Sequence, residues 1–217
     1  QYEQAVRLRP DFADAHNNLG LAFLEVGKLP AGIEHLNTAV QLKPDDADIR
    51  YNLGDGYLQA KEFPESIRQL SKAVTLRGQF PAAHCKLGMA LLEDGRPDEA
   101  IDEFAEAANM QPDYVDALAG WGNALLKLGR AEEAAGKYTS ALRLAPEVGD
   151  LHYNLGNAWL KLGRLHEAEK EYRATLAISP MSAAAHHNLG LTLLELGRPR
   201  EAAAQFSATI QQLPNSA

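Results

Sequence analysis

Several polar side chains of this chain recur at a regular spacing, and asparagines form one such column. Four of them share one register of 34 residues: Asn18, Asn52, Asn154 and Asn188. An asparagine amide both donates and accepts hydrogen bonds, so a column of amides can pair with the peptide bonds of an extended chain whatever its sequence. Lys86 and Gly120 occupy the two intervening places and argue against one continuous amide surface.

Motifs for catalysis are absent from the sequence. It has no glycine-rich phosphate loop, no HExxH, no CxxC and no GxSxG. Four of the seven histidines share one register: His16, His84, His152 and His186. A shared metal is disfavoured, because the adjacent His186 and His187 would point in different directions on a helix. We therefore expect no enzyme activity, no cofactor and no metal.

The elements that position these residues follow from the same period. Prolines recur every 34 residues, with Gly78 in one vacant place: Pro10, Pro44, Pro112, Pro146, Pro180 and Pro214. Glycines follow a second column: Gly20, Gly54, Gly88, Gly122, Gly156 and Gly190. A period of this length is typical of a solenoid, in which each repeat buries its apolar face against its neighbours.

The apolar spacing predicts two helices in each repeat. In 149–182 one helical face carries Leu151, Leu155 and Trp159, and Gly163 ends that helix where a left-handed residue is needed. A second helix starts near Leu165 and has Glu167 in its first turn, where an acidic side chain complements the helix dipole.

These columns resemble the tetratricopeptide repeat (TPR), a helix–turn–helix of 34 residues with small residues at positions eight, twenty and twenty-seven. The resemblance implies an all-α fold, a right-handed α-solenoid of antiparallel helix pairs. With Ala13 as position one, it gives one continuous domain whose parts are a truncated second helix in 1–12 and repeats at 13–46, 47–80, 81–114, 115–148, 149–182 and 183–216.

In the TPR family, positions two, five, six, nine, twelve and thirteen line the inner wall of the superhelix. The asparagines at position six resemble the TPR superhelix of O-linked N-acetylglucosamine transferases, although Asn-Leu-Gly is also common in TPR sequences. The resemblance implies a set of peptide-binding residues: Asn18, Asn52, Lys86, Asn123, Asn154, Asn157, Asn188, Tyr51, Tyr153, Asp48, Asp116 and Asp150.

A second TPR binding mode, the clamp for an acidic peptide terminus, requires lysine at position five. That position has no lysine here, and position two is instead acidic in four repeats: Asp14, Asp48, Asp116 and Asp150. We expect an extended protein or peptide partner without an acidic C-terminus. These aspartates also lie in the first helical turn, where the helix dipole alone favours them.

The composition excludes several kinds of partner. With 21 basic and 29 acidic residues the formal charge is −8, which opposes binding to phosphate backbones or anionic lipid, so we expect no nucleic acid. No apolar run in the sequence approaches the roughly 18 residues needed to span a bilayer, so we expect no membrane insertion. Cys85 is the sole cysteine, so no internal disulfide can form. We expect a cytoplasmic protein, and a periplasmic one without disulfides fits nearly as well.

The predicted function is a protein–protein interaction scaffold that binds an extended partner in its concave groove. The alternatives are the substrate-recognition arm of a larger enzyme, such as a TPR glycosyltransferase, and a self-assembling scaffold that associates through uncapped ends. Because Gln1 falls inside a second helix, we expect the natural protein to extend further at that end. Gly78 in place of proline and Lys61 in place of glycine predict a weak joint near residues 60–82.

Overall fold

The computed structural model describes residues 2–212, and the repeat ends at Leu213 and Pro214 lie outside that range. Within it, all regular secondary structure is helical. The thirteen helices are α1 (Tyr2–Leu8), α2 (Ala13–Glu25), α3 (Leu29–Leu42), α4 (Ala47–Gln59), α5 (Phe63–Leu76), α6 (Pro81–Glu93), α7 (Pro97–Met110), α8 (Val115–Lys127), α9 (Ala131–Leu144), α10 (Gly149–Lys161), α11 (Leu165–Ile178), α12 (Ala183–Glu195) and α13 (Pro199–Gln212).

The helices form two compact units, unit 1 (residues 1–112) and unit 2 (residues 113–217). In each unit a first helix packs on the second helix of its own repeat, and that second helix packs on the first helix of the next repeat. This consecutive pairing confirms the predicted all-α solenoid of helix pairs. Each predicted repeat begins with one first helix, from α2 at Ala13 to α12 at Ala183.

A left-handed residue ends every first helix. Five glycines have φ between 70° and 82° at this place: Gly27, Gly95, Gly129, Gly163 and Gly197. The next N–H then bonds back five residues, as from Arg164 to the Trp159 carbonyl at 2.9 Å. Lys61 adopts the same conformation, with φ of 59°, and Glu62 bonds to Tyr57 in the same way. The turn in the second repeat therefore has the same geometry as the other turns, although Lys61 is strained in this conformation.

Replacing Lys61 by glycine should stabilise the protein. A non-glycine residue in the left-handed region costs about 1 kcal/mol, and glycine removes that cost at this position. We expect the urea midpoint of Lys61→Gly to rise, and the reverse change Gly163→Lys to lower it by a similar amount. An unchanged midpoint in both variants would show that the turn carries no strain.

Close contact between the two helices of a repeat depends on the glycine at position eight. A Cβ built on Gly156 would lie 2.7 Å from Cε1 of Tyr172, and one built on Gly54 would lie 2.6 Å from Cγ of Leu70. Both Tyr172 and Leu70 are fully buried. The glycine column therefore brings the first helix against the large side chain at position twenty-four of the second helix.

The weak joint that the sequence predicts near Gly78 falls inside unit 1. Three contacts join the repeats on either side of Gly78. The Gly78 carbonyl accepts a hydrogen bond from His84 Nε2 at 3.3 Å, Phe80 lies against Tyr51 with ring centroids 5.1 Å apart, and Arg77 pairs with Asp48. A glycine at this place therefore does not separate the repeats on either side.

Within each unit, the first helices lie closer to one another than the second helices do. Helix α2 contacts α4 and α4 contacts α6 in unit 1, and α8 contacts α10 in unit 2. We call the side of each unit formed by the first helices its inner face. All residues predicted to bind a peptide belong to first helices.

Candidate peptide-binding face

In unit 2 the asparagine amides bond to one another across repeats. Asn154 Nδ2 donates to Asn123 Oδ1 at 3.4 Å, and Asn188 Nδ2 donates to Asn157 Oδ1 at 2.9 Å. The acceptors at position nine are held in turn by buried tyrosines, since Tyr138 and Tyr172 donate their hydroxyls at 2.7 and 2.8 Å. Burial raises the pKa of both tyrosines, so the hydroxyls stay protonated. We call Asn123, Asn154, Asn157 and Asn188 the amide ladder.

The amide ladder leaves hydrogen-bonding groups of both kinds unused. The amides at position six donate an N–H within the ladder, so among the described residues the Oδ1 atoms of Asn154 and Asn188 remain as acceptors. The amides at position nine accept through their oxygens, so the Nδ2 atoms of Asn123 and Asn157 remain as donors. Acceptors and donors thus alternate along the inner face, which is the complement that a peptide backbone needs.

In unit 1 the same place is taken by an ion pair. Lys86, at position six, lies 2.6 Å from Oδ1 of Asp55, at position nine of the preceding repeat, and the side chains are 31% and 22% exposed. Burial lowers the pKa of Lys86, but the hydrogen bond and charge of Asp55 outweigh it and hold the pKa above its usual value. Lys86 therefore places a charged group in the asparagine column, and its pairing with Asp55 keeps the two repeats in contact.

The other position six residues of unit 1 have weaker connections. Asn52 Nδ2 donates to Asn17 Oδ1 at 2.9 Å, and Asn18 accepts from Asn17 at 3.4 Å and is exposed. Tyr51 is half-buried against Phe80, whereas Tyr153 in unit 2 accepts a hydrogen bond from Asn188 at 3.1 Å. In unit 2 the predicted residues therefore form two separate clusters, Asn123 with Asn154 and Asn157 with Asn188 and Tyr153.

The aspartates at position two fall into two classes. Asp14 and Asp48 pair with the residue at position thirty-one of their own repeat, Lys43 and Arg77. That position is Ala145 or Ser179 in the repeats of Asp116 and Asp150, and both of these exposed carboxylates lack an ion pair within the described residues. A ligand would have to displace Arg77 to reach Asp48, while Asp116 and Asp150 are open to it.

The histidines at position four connect each repeat to the one before it. His16, His152 and His186 place Nε2 3.1 Å from the carbonyls of Pro10, Pro146 and Pro180, and a carbonyl can only accept, so each Nε2 carries hydrogen. Their Nδ1 atoms contact the residue at position twenty-three of the repeat, which lies in the second helix. His152 Nδ1, for example, lies 2.6 Å from the Glu171 carboxylate. Arg50 makes the same two contacts, to Pro44 and Gln69.

The bond between His84 and Glu103 should make stability depend on pH. Glu103 accepts from Nδ1 at 2.7 Å and, with the charge of Glu106, raises the pKa of His84 above 6.5 although burial lowers it. The protonated ring therefore favours the folded state below pH 6.5, and this contribution is lost as the pH rises through the folded-state pKa.

We expect Glu103→Gln to flatten the fall in unfolding free energy as the pH rises above 6.5. The variant reproduces the uncharged partner of His186, which is Gln205 at 2.7 Å. The natural His186–Gln205 pair thus serves as an internal reference. A slope that is the same in the wild type and the variant would show that His84 does not titrate in this range.

Comparison with known proteins settles the family. A tetratricopeptide repeat model matches residues 51–115, 119–183 and 160–217, and a second TPR model matches 1–27 and 22–60. The chain belongs to the tetratricopeptide repeat family. No curated protein matches the chain. Among solved structures, the TPR fold resembles PilF of Pseudomonas aeruginosa, with 19% identity, a TM-score of 0.81 and coverage of 94% of this chain and 93% of PilF.

Two further solved structures share this TPR fold. MamA of Desulfovibrio magneticus is 20% identical with a TM-score of 0.73, covering 78% of this chain and 96% of MamA. YrrB, a TPR protein with an unusual peptide-binding site, is 19% identical with a TM-score of 0.70, covering 86% of this chain and 96% of YrrB. At these identities the likeness establishes the TPR fold alone.

In the part of this TPR chain that the structure describes, no group of three or more His, Cys, Asp or Glu side chains is placed to hold a metal ion. No helix in residues 2–212 has the length and apolar character to cross a membrane. Cys85 is buried and forms no disulfide.

Proposed function

We propose that this protein is a noncatalytic scaffold that binds an extended polypeptide along the inner face of unit 2. The observation that carries the proposal is the amide ladder with its unused groups. A bound strand would donate its N–H groups to the Oδ1 atoms of Asn154 and Asn188 and accept from the Nδ2 atoms of Asn123 and Asn157. Such contacts depend on the peptide backbone, so they tolerate many sequences.

The charges of the inner face favour a partner with basic side chains. Asp116 and Asp150 are exposed, and neither forms an ion pair within the described part of unit 2. The whole chain is also acidic, with a formal charge of −8. An extended segment that carries lysine or arginine therefore fits better than an acidic one. The sequence predicted only that the partner has no acidic C-terminus.

The proposal is tested by selecting ligands and then changing the ladder. Peptides selected from a random phage-displayed library on the purified protein would be measured against Asn154→Ala and Asn188→Ala. Each lost hydrogen bond should weaken binding by about 0.5–1.5 kcal/mol. Asn37→Ala in α3 removes an amide outside the inner face and should leave binding unchanged.

Stability must be measured beside affinity, because the ladder amides also hold repeats together. Asn188 donates to both Asn157 and Tyr153, so its alanine variant should lose some stability, whereas Asn154 has a single long bond of 3.4 Å and should lose little. Asn154→Ala is therefore the decisive variant. Selected peptides that bind it as tightly as the wild type would contradict the inner-face site.

A further inference from the structure

Two surface cavities outside the inner face have the same construction. One, of about 240 Å³, lies between α1, α2 and α3 in unit 1, and the other, of about 380 Å³, lies between α9, α10 and α11 in unit 2. Each opens between two consecutive second helices, over the first helix that separates them. We call them outer groove 1 and outer groove 2.

Each lining residue of outer groove 1 has a counterpart four repeats later in outer groove 2, which has four further lining residues: Thr139, His152, Glu167 and Lys170. Outer groove 1 is lined by Val6, Arg7, Leu19, Phe23 and His35. Outer groove 2 has Leu142, Arg143, Leu155, Trp159 and Glu171 in the same places. Each groove thus combines an aliphatic side chain, an arginine, a leucine and a large aromatic ring.

This combination is confined to these two places in the sequence. The position of Arg7 and Arg143 is held in the other repeats by Gln41, Thr75, Asn109 and Ala177. The position of Phe23 and Trp159 is held by Tyr57 or by leucine elsewhere: Leu91, Leu125 and Leu193. Arginine and an aromatic ring therefore occur together at each outer groove and at no other junction of the repeats.

The arginines are available to a ligand while the rings are held in place. Arg7 and Arg143 are exposed, and within residues 2–212 neither forms a hydrogen bond or an ion pair with another side chain. The ring of Phe23 stacks on His35 with centroids 5.6 Å apart, and Arg164 lies 4.8 Å from the centroid of Trp159. Each groove therefore presents a fixed apolar floor beside an unpaired cation.

We propose that each outer groove binds a short acidic protein segment, with one large apolar side chain on the aromatic floor and a neighbouring carboxylate on the arginine. The volumes of about 240 and 380 Å³ are large enough for one aromatic side chain in each groove. The guanidinium pairs with a carboxylate through two parallel hydrogen bonds. This site is separate from the inner face, so it can be occupied whether or not a peptide lies on the amide ladder.

Two acidic side chains line outer groove 2, and Glu167 gives an internal control. Glu171 is bonded to His152 at 2.6 Å, but Glu167 also lines the groove and has no ion pair in the described residues. Glu167 repels a bound carboxylate. Glu167→Gln should therefore strengthen binding of the acidic segment, while Arg143→Gln, which restores the residue found at Gln41, should weaken it.

The experiment uses a short synthetic peptide with one phenylalanine flanked by glutamates, titrated into the whole protein by calorimetry at low salt. We expect two peptides per chain. Trp159→Leu and Phe23→Leu, which place the leucine of other repeats in the groove, should each remove one of the two sites. Arg143→Gln should weaken the outer groove 2 site about three- to tenfold, and Arg68→Gln, a change at another exposed arginine, should have no effect.

Fluorescence separates this site from the inner face. The chain has two tryptophans, and Trp121→Leu leaves Trp159 as the sole reporter. Its emission should shift on addition of the peptide and stay constant with versions in which alanine replaces phenylalanine or lysine replaces glutamate. Equal binding of the lysine version, loss of binding in Asn154→Ala, or binding of free 4-phenylbutyrate but not of the peptide would each overturn the proposal.

Discussion

Gly156→Ala should destabilise unit 2 by about 2 kcal/mol, although it adds a single methyl group. The new Cβ would lie 2.7 Å from Cε1 of Tyr172, a ring that is fully buried and whose hydroxyl is bonded to Asn157. The ring cannot move without breaking that hydrogen bond, so the two helices must separate. Urea denaturation followed by circular dichroism measures the loss.

Gly136 in α9 is the matched control. No atom lies within 4 Å of a Cβ built there, so Gly136→Ala should stabilise the protein by about 0.5–1 kcal/mol through helix propensity alone. The same substitution in the same unit is thus expected to have opposite signs at the two sites. Destabilisation by both, or by neither, would show that close approach of the helices is not what the glycine column provides.

Breaking the ion pair between Asp55 and Lys86 should cost about 1–3 kcal/mol, between the values for exposed and for fully buried pairs. The Oδ1 atom of Asp55 is buried with Lys86 as its partner, and Oδ2 accepts from Gln59 at 2.8 Å. Asp55→Asn or Lys86→Asn alone therefore leaves one half-buried charge without its counterion.

The double variant Asp55→Asn with Lys86→Asn should recover most of that loss. It recreates the contact between Asn157 and Asn188, in which an amide at position six donates to an amide at position nine. Lys72→Asn, at an exposed site, should change stability by less than about 0.5 kcal/mol. If the double variant is as unstable as the sum of the single variants, the two contacts are not equivalent.

The fold was predictable because the repeat period appears in the sequence itself. Columns of small and large residues also indicate which helices pack together. The apolar spacing predicted that α10 ends at Gly163, and this glycine has a positive φ. The weak joint near Gly78 stays a prediction, because it was inferred from backbone freedom alone and contacts between repeats also act there. The bond from His84 to the Gly78 carbonyl involves two repeats, and no pattern within one repeat indicates it.

The helix face of the candidate site residues could be predicted from the sequence, but the hydrogen bonds between those residues could not. The sequence assigned Asn154 and Asn188 to one face, yet it did not show that Asn123 and Asn157 accept their hydrogen bonds, because that depends on the offset between neighbouring helices. A usable signal was missed for Asp48. A cation at position thirty-one occurs in its own repeat, as Arg77, and not in those of Asp116 and Asp150.

The pair of Asp55 and Lys86 also bears on how a chain of similar repeats finds its order during folding. Near-identical repeats can dock on the wrong neighbour, which is a known route to misassembly. If the repeat that begins at Pro81 docked on a repeat with an amide at position nine, Lys86 would be half-buried beside a neutral group, and Asp55 would lose its counterion. The ion pair thus favours docking of the third repeat on the second over docking on other repeats.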